Sequence, residues 1–185
     1  MDGLFMASRD GLAFRRWDEA FLRPGPQAEG RWIYGDNYQS YGLFETRSET
    51  PGAPNELSLH FNEGSWRDSE HRLRRYTIRL DGFVSLHAPL AGGELTSKPL
   101  KFTGRRLSLN YATSAAGNLR LEIQDAEGNP IPGCSLADGD ELFGDSCDQS
   151  AAWKDSTDVS RLAGQVVRLH FVLRDADLFS FQFTD

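Results

Sequence analysis

The sequence predicts an all-β protein: an antiparallel two-sheet β-sandwich of jelly-roll type, preceded by an N-terminal segment of hairpin and loops. Apolar residues alternate with polar ones along several segments, and helical spacing is nearly absent. Turn-forming pairs such as Asp81-Gly82 and Gly92-Gly93 recur at short intervals. Alternation gives a strand one apolar and one polar face, which is typical of antiparallel sheets packed face to face.

The first predicted element is a hairpin. The apolar run Leu4–Met6 leads into the turn Ser8–Gly11, and a second strand follows with Phe14 and Trp17. An Asp-Gly pair between two apolar runs is a strong signal for a tight β-turn. Two more strands, Leu57–Phe61 and Tyr76–Leu80, are expected in the front half by their alternation.

The rear half has more regular strands joined by tight turns. A short helical connector is expected at Ser160–Gly164. The alternating apolar positions are Leu107, Leu109, Tyr111; Leu119, Leu121, Ile123; Val167, Leu169, Phe171, Leu173; and Phe179, Phe181, Phe183. The change of texture near Asp81-Gly82 predicts two parts: residues 1–81, with strands and aromatic-rich loops, and residues 82–185, the sandwich.

Composition excludes several classes of function. The net charge of −7 argues against sequence-independent binding to nucleic acid, which needs a basic surface. No apolar run is long enough to span a bilayer, so no membrane partner is expected, and the N-terminus lacks the pattern of a signal peptide. No nucleophile elbow or glycine-rich phosphate loop occurs. Cys134 and Cys147 could form one bridge or stay reduced.

Several runs carry a resemblance to a known family. They are SRDGLAFRRW, NYQSYGLFET, LSLHFNE, RLRRYTIRLDGFVSL, GGELTSKPLKFTGRRLSLNYATSAAGNLRLEIQDAEGNPIPG and LAGQVVRLHFVLRDADLFSFQF. In this order they resemble the C-terminal part of large bacterial proteins related to the propeller-type glycoside hydrolases of families 32 and 43. The resemblance implies that residues up to about Arg79 are the last strands of a propeller, and that a β-sandwich follows from about Phe83.

The resemblance also implies a function. The catalytic carboxylates of the better-known propeller hydrolases lie on earlier blades, so the chain is expected to be a fragment or a natural truncation without that centre, from a secreted parent. It would then be an accessory carbohydrate-binding or structural module whose partner is a polysaccharide or oligosaccharide. Strands of an incomplete blade leave unpaired backbone groups at a sheet edge. We expect these strands to pack on the sandwich; pairing with a second copy to form a homodimer is the alternative, and remaining mobile is the third possibility.

The alternative function is a small glycoside hydrolase, because two carboxylates flanking a glycosidic bond suffice for hydrolysis. Asp36 and Glu63 are the candidate pair, and Glu45 is a further candidate. Asp36 lies in an aromatic-rich loop, and Glu63 follows a predicted strand. A chance grouping among the 27 acidic residues is the simpler interpretation of any such pair.

Aromatic residues in the front loops form the candidate carbohydrate-binding set. Flat rings offer an apolar surface on which sugars stack, while nearby amides and carboxylates hold the hydroxyl groups. The competing interpretation is that these rings cap the sandwich or fill the space of absent blades. The set is Trp32, Tyr34, Tyr38, Tyr41 and Trp66.

One acidic loop, Asp138–Asp148, could hold a structural calcium ion through Asp138, Asp140 and Asp145, since Ca²⁺ prefers oxygen ligands. The loop fails the EF-hand pattern because Phe143 stands at the sixth position, where that pattern requires glycine. A solvated acidic loop is the favoured interpretation, and no other cofactor is expected.

Overall fold

The computed structural model describes residues 2–27, 32, 36–64 and 71–185. All strand pairs in these ranges are antiparallel, and the one helical element there is a 3₁₀ turn, Ser160–Leu162. The predicted all-β, sandwich-like class is confirmed. Contacts divide the chain into two units, Met1–Phe83 and Val84–Asp185.

The first unit contains two small sheets in its described residues. A hairpin forms one sheet, and the other has the strand order β3-β4-β5. The strands are β1 (Gly3–Ser8), β2 (Phe14–Leu22), β3 (Phe44–Thr46), β4 (Glu56–Glu63) and β5 (Arg72–Arg79).

The β1–β2 hairpin is the one predicted from the Asp-Gly turn. The Asp10 carboxylate accepts hydrogen bonds from the backbone N–H groups of Leu12 (2.9 Å) and Ala13 (2.8 Å), and from the Ser8 hydroxyl (2.9 Å). The bonds from Ala13 and Leu12 lower the pKa of Asp10 to about 2. Side-chain oxygens that cap backbone N–H groups in this way explain why Ser and Asp favour turns.

The second unit is built on one five-stranded sheet. Strand β10 pairs with β6, β7 and β8, and β8 also pairs with β9. The strands are β6 (Leu86–Ala88), β7 (Gly93–Thr96), β8 (Arg106–Gln124), β9 (Asp145–Ser150) and β10 (Arg168–Thr184).

The long strands β8 and β10 allow this sheet to curl. Their register shifts between Arg174 and Ala176 and between Leu178 and Ser180, and such irregularities bend and twist a pair of strands. Gly117 lies on β8 facing this bend, where a Cβ atom would collide with the Asp175 carbonyl oxygen. One sheet can therefore supply both layers of a sandwich-like fold.

The core of the second unit lies on the apolar face of the curled sheet. Alternating residues of β8 and β10 are fully buried, as their period-two pattern predicted. The ring of Phe102 stacks on that of Phe183, with 3.7 Å between centroids. Cys134 is buried, Cys147 is half-buried, and no disulfide joins the two. Among the described residues, no helix has the length and apolar character needed to cross a membrane.

Candidate functional site

An irregular segment lies on the edge of β4 opposite β5. Asn37 and Ser40 donate their backbone N–H groups to the carbonyl oxygens of Asn62 (2.9 Å) and His60 (2.8 Å) on that strand. β3 pairs with this same edge of β4. The irregular segment and β3 therefore lie one after the other along one edge of β4.

The two stretches on this edge do not share one register. Gln39 lies opposite Phe61, and Phe44 lies opposite Ser58. Phe44 lies five residues after Gln39, but their partners on β4, Ser58 and Phe61, are only three residues apart. The edge segment therefore contains two residues more than the stretch of β4 that it faces. Extra residues cannot join the hydrogen-bond ladder, so the chain bulges outward between Ser40 and Leu43. We call residues 38–44 the aromatic bulge.

The aromatic bulge exposes its rings to solvent. Tyr41 is fully exposed, Phe44 is 55% exposed and Tyr38 is 45% exposed. Gly42 has a φ of 117°, and a Cβ atom placed there would lie 2.5 Å from the Phe44 ring. Glycine thus permits both the backbone turn and the close approach of that ring.

An open depression of about 680 Å³ lies at the bulge, lined by Gln39, Ser40, Tyr41, Gly42, Leu43 and Phe44. The lining combines aromatic and aliphatic surface with the amide of Gln39 and the hydroxyl of Ser40. An apolar surface with a few polar groups is typical of a small-molecule or sugar-binding site.

The other aromatic candidates are not among the described residues that line the depression. The Trp32 side chain is 48% exposed, and its indole N–H donates to the carbonyl oxygen of Gly25 (2.8 Å). Tyr34 and Trp66 lie outside the described residues. Sequence reasoning missed Leu43 and Phe44; the signal that could have found them is Gly42, a strand breaker immediately before two large apolar residues.

Glu63, at the end of β4, is almost fully buried at 3% exposure. The Nε atoms of Arg72 and Arg74 each lie 2.8 Å from one of its carboxylate oxygens, and the Tyr76 hydroxyl donates to it at 2.6 Å. These partners are alternate residues of β5, so they point to one face of the sheet.

These partners fix the charge of Glu63. Burial by itself raises the pKa of this carboxyl, but hydrogen bonds from Tyr76, Arg74 and Arg72 outweigh burial and lower it to about 2. Glu63 is therefore ionised near neutral pH and is a poor proton donor.

Asp36 is also buried, at 2% exposure, in the turn that leads into the edge segment. The bond between Asn37 and Asn62 brings this turn to the same end of β4 as Glu63. Glu45 lies on β3 instead, where its exposed carboxylate accepts a hydrogen bond from the Asn55 amide at 2.7 Å. The structure thus brings Asp36 and Glu63 to one region and leaves Glu45 outside it.

The acidic-loop candidates have different surroundings. Asp138 pairs with Lys154 at 2.7 Å and accepts a hydrogen bond from the Ser135 hydroxyl at 2.8 Å, whereas Asp140 and Asp145 are exposed. Across the described ranges, no three or more His, Cys, Asp or Glu side chains are grouped so as to hold a metal ion.

A second polar cluster, in the second unit, was not predicted. His170 on β10 contacts the carboxylates of Glu122 on β8 (3.0 Å) and Glu94 on β7 (3.1 Å). Burial by itself raises the pKa of Glu122, but hydrogen bonds from Gln124, the Leu136 backbone and His170 outweigh it and lower the pKa. The cluster links three strands on the polar face of the sheet. In the sequence, its residues occupy polar positions of alternating strands, which gave no sign that they would meet.

No protein-family model, curated protein or solved structure matches this chain.

Proposed function

We propose that the chain is an accessory carbohydrate-binding module of a glycoside-hydrolase-like protein and that the aromatic bulge holds the sugar. The observation that carries this proposal is the exposure of Tyr41 and Phe44 in an open depression, with the exposed Tyr38 immediately before its first lining residue. The family resemblance of the sequence agrees with it.

Exposed rings suit sugars because the C–H face of a sugar can stack on an aromatic ring while its hydroxyl groups remain hydrated. The Gln39 amide can donate and accept hydrogen bonds, and so can the Ser40 hydroxyl. A clustered apolar patch that faces water generally marks a surface that binds something. The bulge combines all three properties in one short segment.

Hydrolysis by Asp36 and Glu63 is the less supported function. Glu63 is neutralised by two arginines and hydrogen-bonded to Tyr76, which suits an ion pair that holds β4 to β5. We expect the purified protein to release no reducing sugar from polysaccharides. Release that is lost in both Asp36→Asn and Glu63→Gln would favour the hydrolase instead.

Affinity electrophoresis tests the binding function. The full chain is run through native gels containing hydroxyethylcellulose, mannan, xylan, dextran, polygalacturonate or a sulfated dextran. We expect at least one glycan to retard the protein and Tyr41→Ala to weaken that retardation. Phe143→Ala is the matched control, because Phe143 is an exposed aromatic residue (74%) in the other unit. Unretarded migration on every glycan would overturn the proposal.

A further inference from the structure

We infer that the aromatic bulge recognises an uncharged polysaccharide and binds it along an internal stretch of the chain, without enclosing a chain end. This inference rests on the proposed function and names its ligand class.

The lining of the depression carries no charge. Its six residues, from Gln39 to Phe44, include no acidic or basic side chain, although a quarter of the whole chain is charged. Recognition of a carboxylated or sulfated sugar generally uses Arg or Lys, since charge-assisted hydrogen bonds are the stronger ones. An anionic glycan would lose hydration here without gaining a cationic partner in the lining.

The nearest charged residue that follows the lining does not supply that partner. Glu45 is itself anionic, and its carboxylate is hydrogen-bonded to the Asn55 amide at 2.7 Å. Arg75 of β5 reaches β3 and is bonded to Ser58, Thr46 and Glu49. Both charges are engaged by partners in the protein, which agrees with an uncharged ligand. The exposed Arg47, three residues after Phe44, is the nearby cation whose contribution the charged glycans and the salt series measure.

The shape of the site favours an internal stretch of a long ligand. One continuous segment lines the depression, which remains open to solvent. A site that selects a chain end needs walls that bury most of the terminal sugar. By register, Tyr38 and Phe44 instead lie opposite positions 62 and 58 of β4, which share one face of the sheet, and the fully exposed Tyr41 lies between them along the chain. Such an arrangement offers successive stacking surfaces to a ligand that continues in both directions.

Calorimetric titration tests the inference. The probes are neutral oligosaccharides from the disaccharide to the hexasaccharide, prepared from a neutral glycan that retards the protein, and the same series with its non-reducing ends blocked. We expect affinity to rise with length, to tolerate the blocked ends, and to change little with added salt, since screening acts on charged contacts. Truncation of a ring to give Tyr41→Ala or Phe44→Ala should weaken binding about tenfold.

Two further variants serve as controls for the effect of removing a ring. Tyr41→Phe keeps the ring and should retain most of the affinity, and Phe143→Ala should behave as the wild type. Tyr41 is fully exposed, so its removal should leave the fold intact, which circular dichroism checks.

Retention by polygalacturonate or sulfated dextran alone, with loss at high salt, would overturn the inference while the carbohydrate-binding function stands. So would an affinity that is equal for all lengths and is lost when the ends are blocked. Binding that is unchanged in both ring-truncated variants would overturn the assignment of the bulge. The absence of retention on any glycan would overturn the proposed function itself.

Discussion

The two units of the chain bury apolar and polar side chains in different proportions. In the second unit, a cluster of twenty buried residues fills the curled sheet, nearly all of them aliphatic or aromatic. In the described part of the first unit, the buried apolar side chains are Leu59, Phe61 and Pro24. Within the described ranges, each unit also buries four polar side chains: Asp36, Asn37, Ser58 and Glu63 in the first, and Ser108, Asn110, Glu122 and Gln124 in the second.

This difference shows how each unit uses its apolar residues. The second unit removes most of them from water, and burial of apolar surface is the main source of stability in a folded domain. The first unit leaves many of them exposed, including Met6, Leu12 and Phe14 on the hairpin and Tyr41 and Phe44 at the bulge. Its second sheet depends instead on ion pairs and hydrogen bonds between β4 and β5. The described part of the first unit thus keeps more of its apolar surface in contact with water.

The largest expected effect is a core truncation in the second unit. Phe171 is fully buried on β10, so Phe171→Ala should lower the free energy of unfolding by about 3–5 kcal/mol, through lost transfer energy and the cavity left behind. Urea denaturation followed by circular dichroism measures the change. Phe143→Ala removes an equally large ring from an exposed position of the same unit and should change stability by less than about 0.5 kcal/mol. Equal losses in the two variants would contradict the placement of the core.

An intermediate effect is expected from the buried carboxylate of the first unit. Glu63→Gln removes a charge that two arginines share, and it should cost about 1–3 kcal/mol of unfolding free energy in urea denaturation. Glu49→Gln is the matched control, because Glu49 also pairs with an arginine, Arg75, but is 88% exposed. Exposed ion pairs contribute about 0–1 kcal/mol. A larger loss for Glu49→Gln than for Glu63→Gln would contradict this account.

Comparison with the same variant also tests how the stability of the protein depends on pH. The pKa of Glu63 is lowered from 4.5 to about 2, so its stabilising contribution is fully present above 4.5 and is lost as the pH falls from 4.5 towards 2. The difference in stability between wild type and Glu63→Gln should therefore shrink over that interval. A difference that stays constant there would show that the carboxylate is not held in its ionised form by its partners.

Sequence reasoning succeeded where side chains alternate and failed where contacts are set by register. The strands around Leu109 and Phe171 were predictable because burial of one face requires a period of two. The turn at Asp10 was predictable because its side chain bonds to nearby backbone groups. The three partners of Glu63 depend on the register of β4 against β5, which composition does not encode. The exposure of Phe44 at the aromatic bulge likewise depends on register, because the edge segment has two more residues than the stretch of β4 that it faces.

The smallest expected effect on stability is at the bulge. Gly42→Ala adds a methyl group that would meet the Phe44 ring at 2.5 Å, at a φ of 117°, so the loop must shift and the ring must move. The loop is exposed and can relax, so the cost should be about 1 kcal/mol, while retention on the neutral glycan should fall clearly. Gly52→Ala separates the two causes, because Gly52 also has a positive φ (80°) but has no atom within 4 Å of the added methyl group. If Gly52→Ala weakens retention as much as Gly42→Ala does, general loosening of the unit explains the loss; if only Gly42→Ala weakens it, the position of the Phe44 ring does.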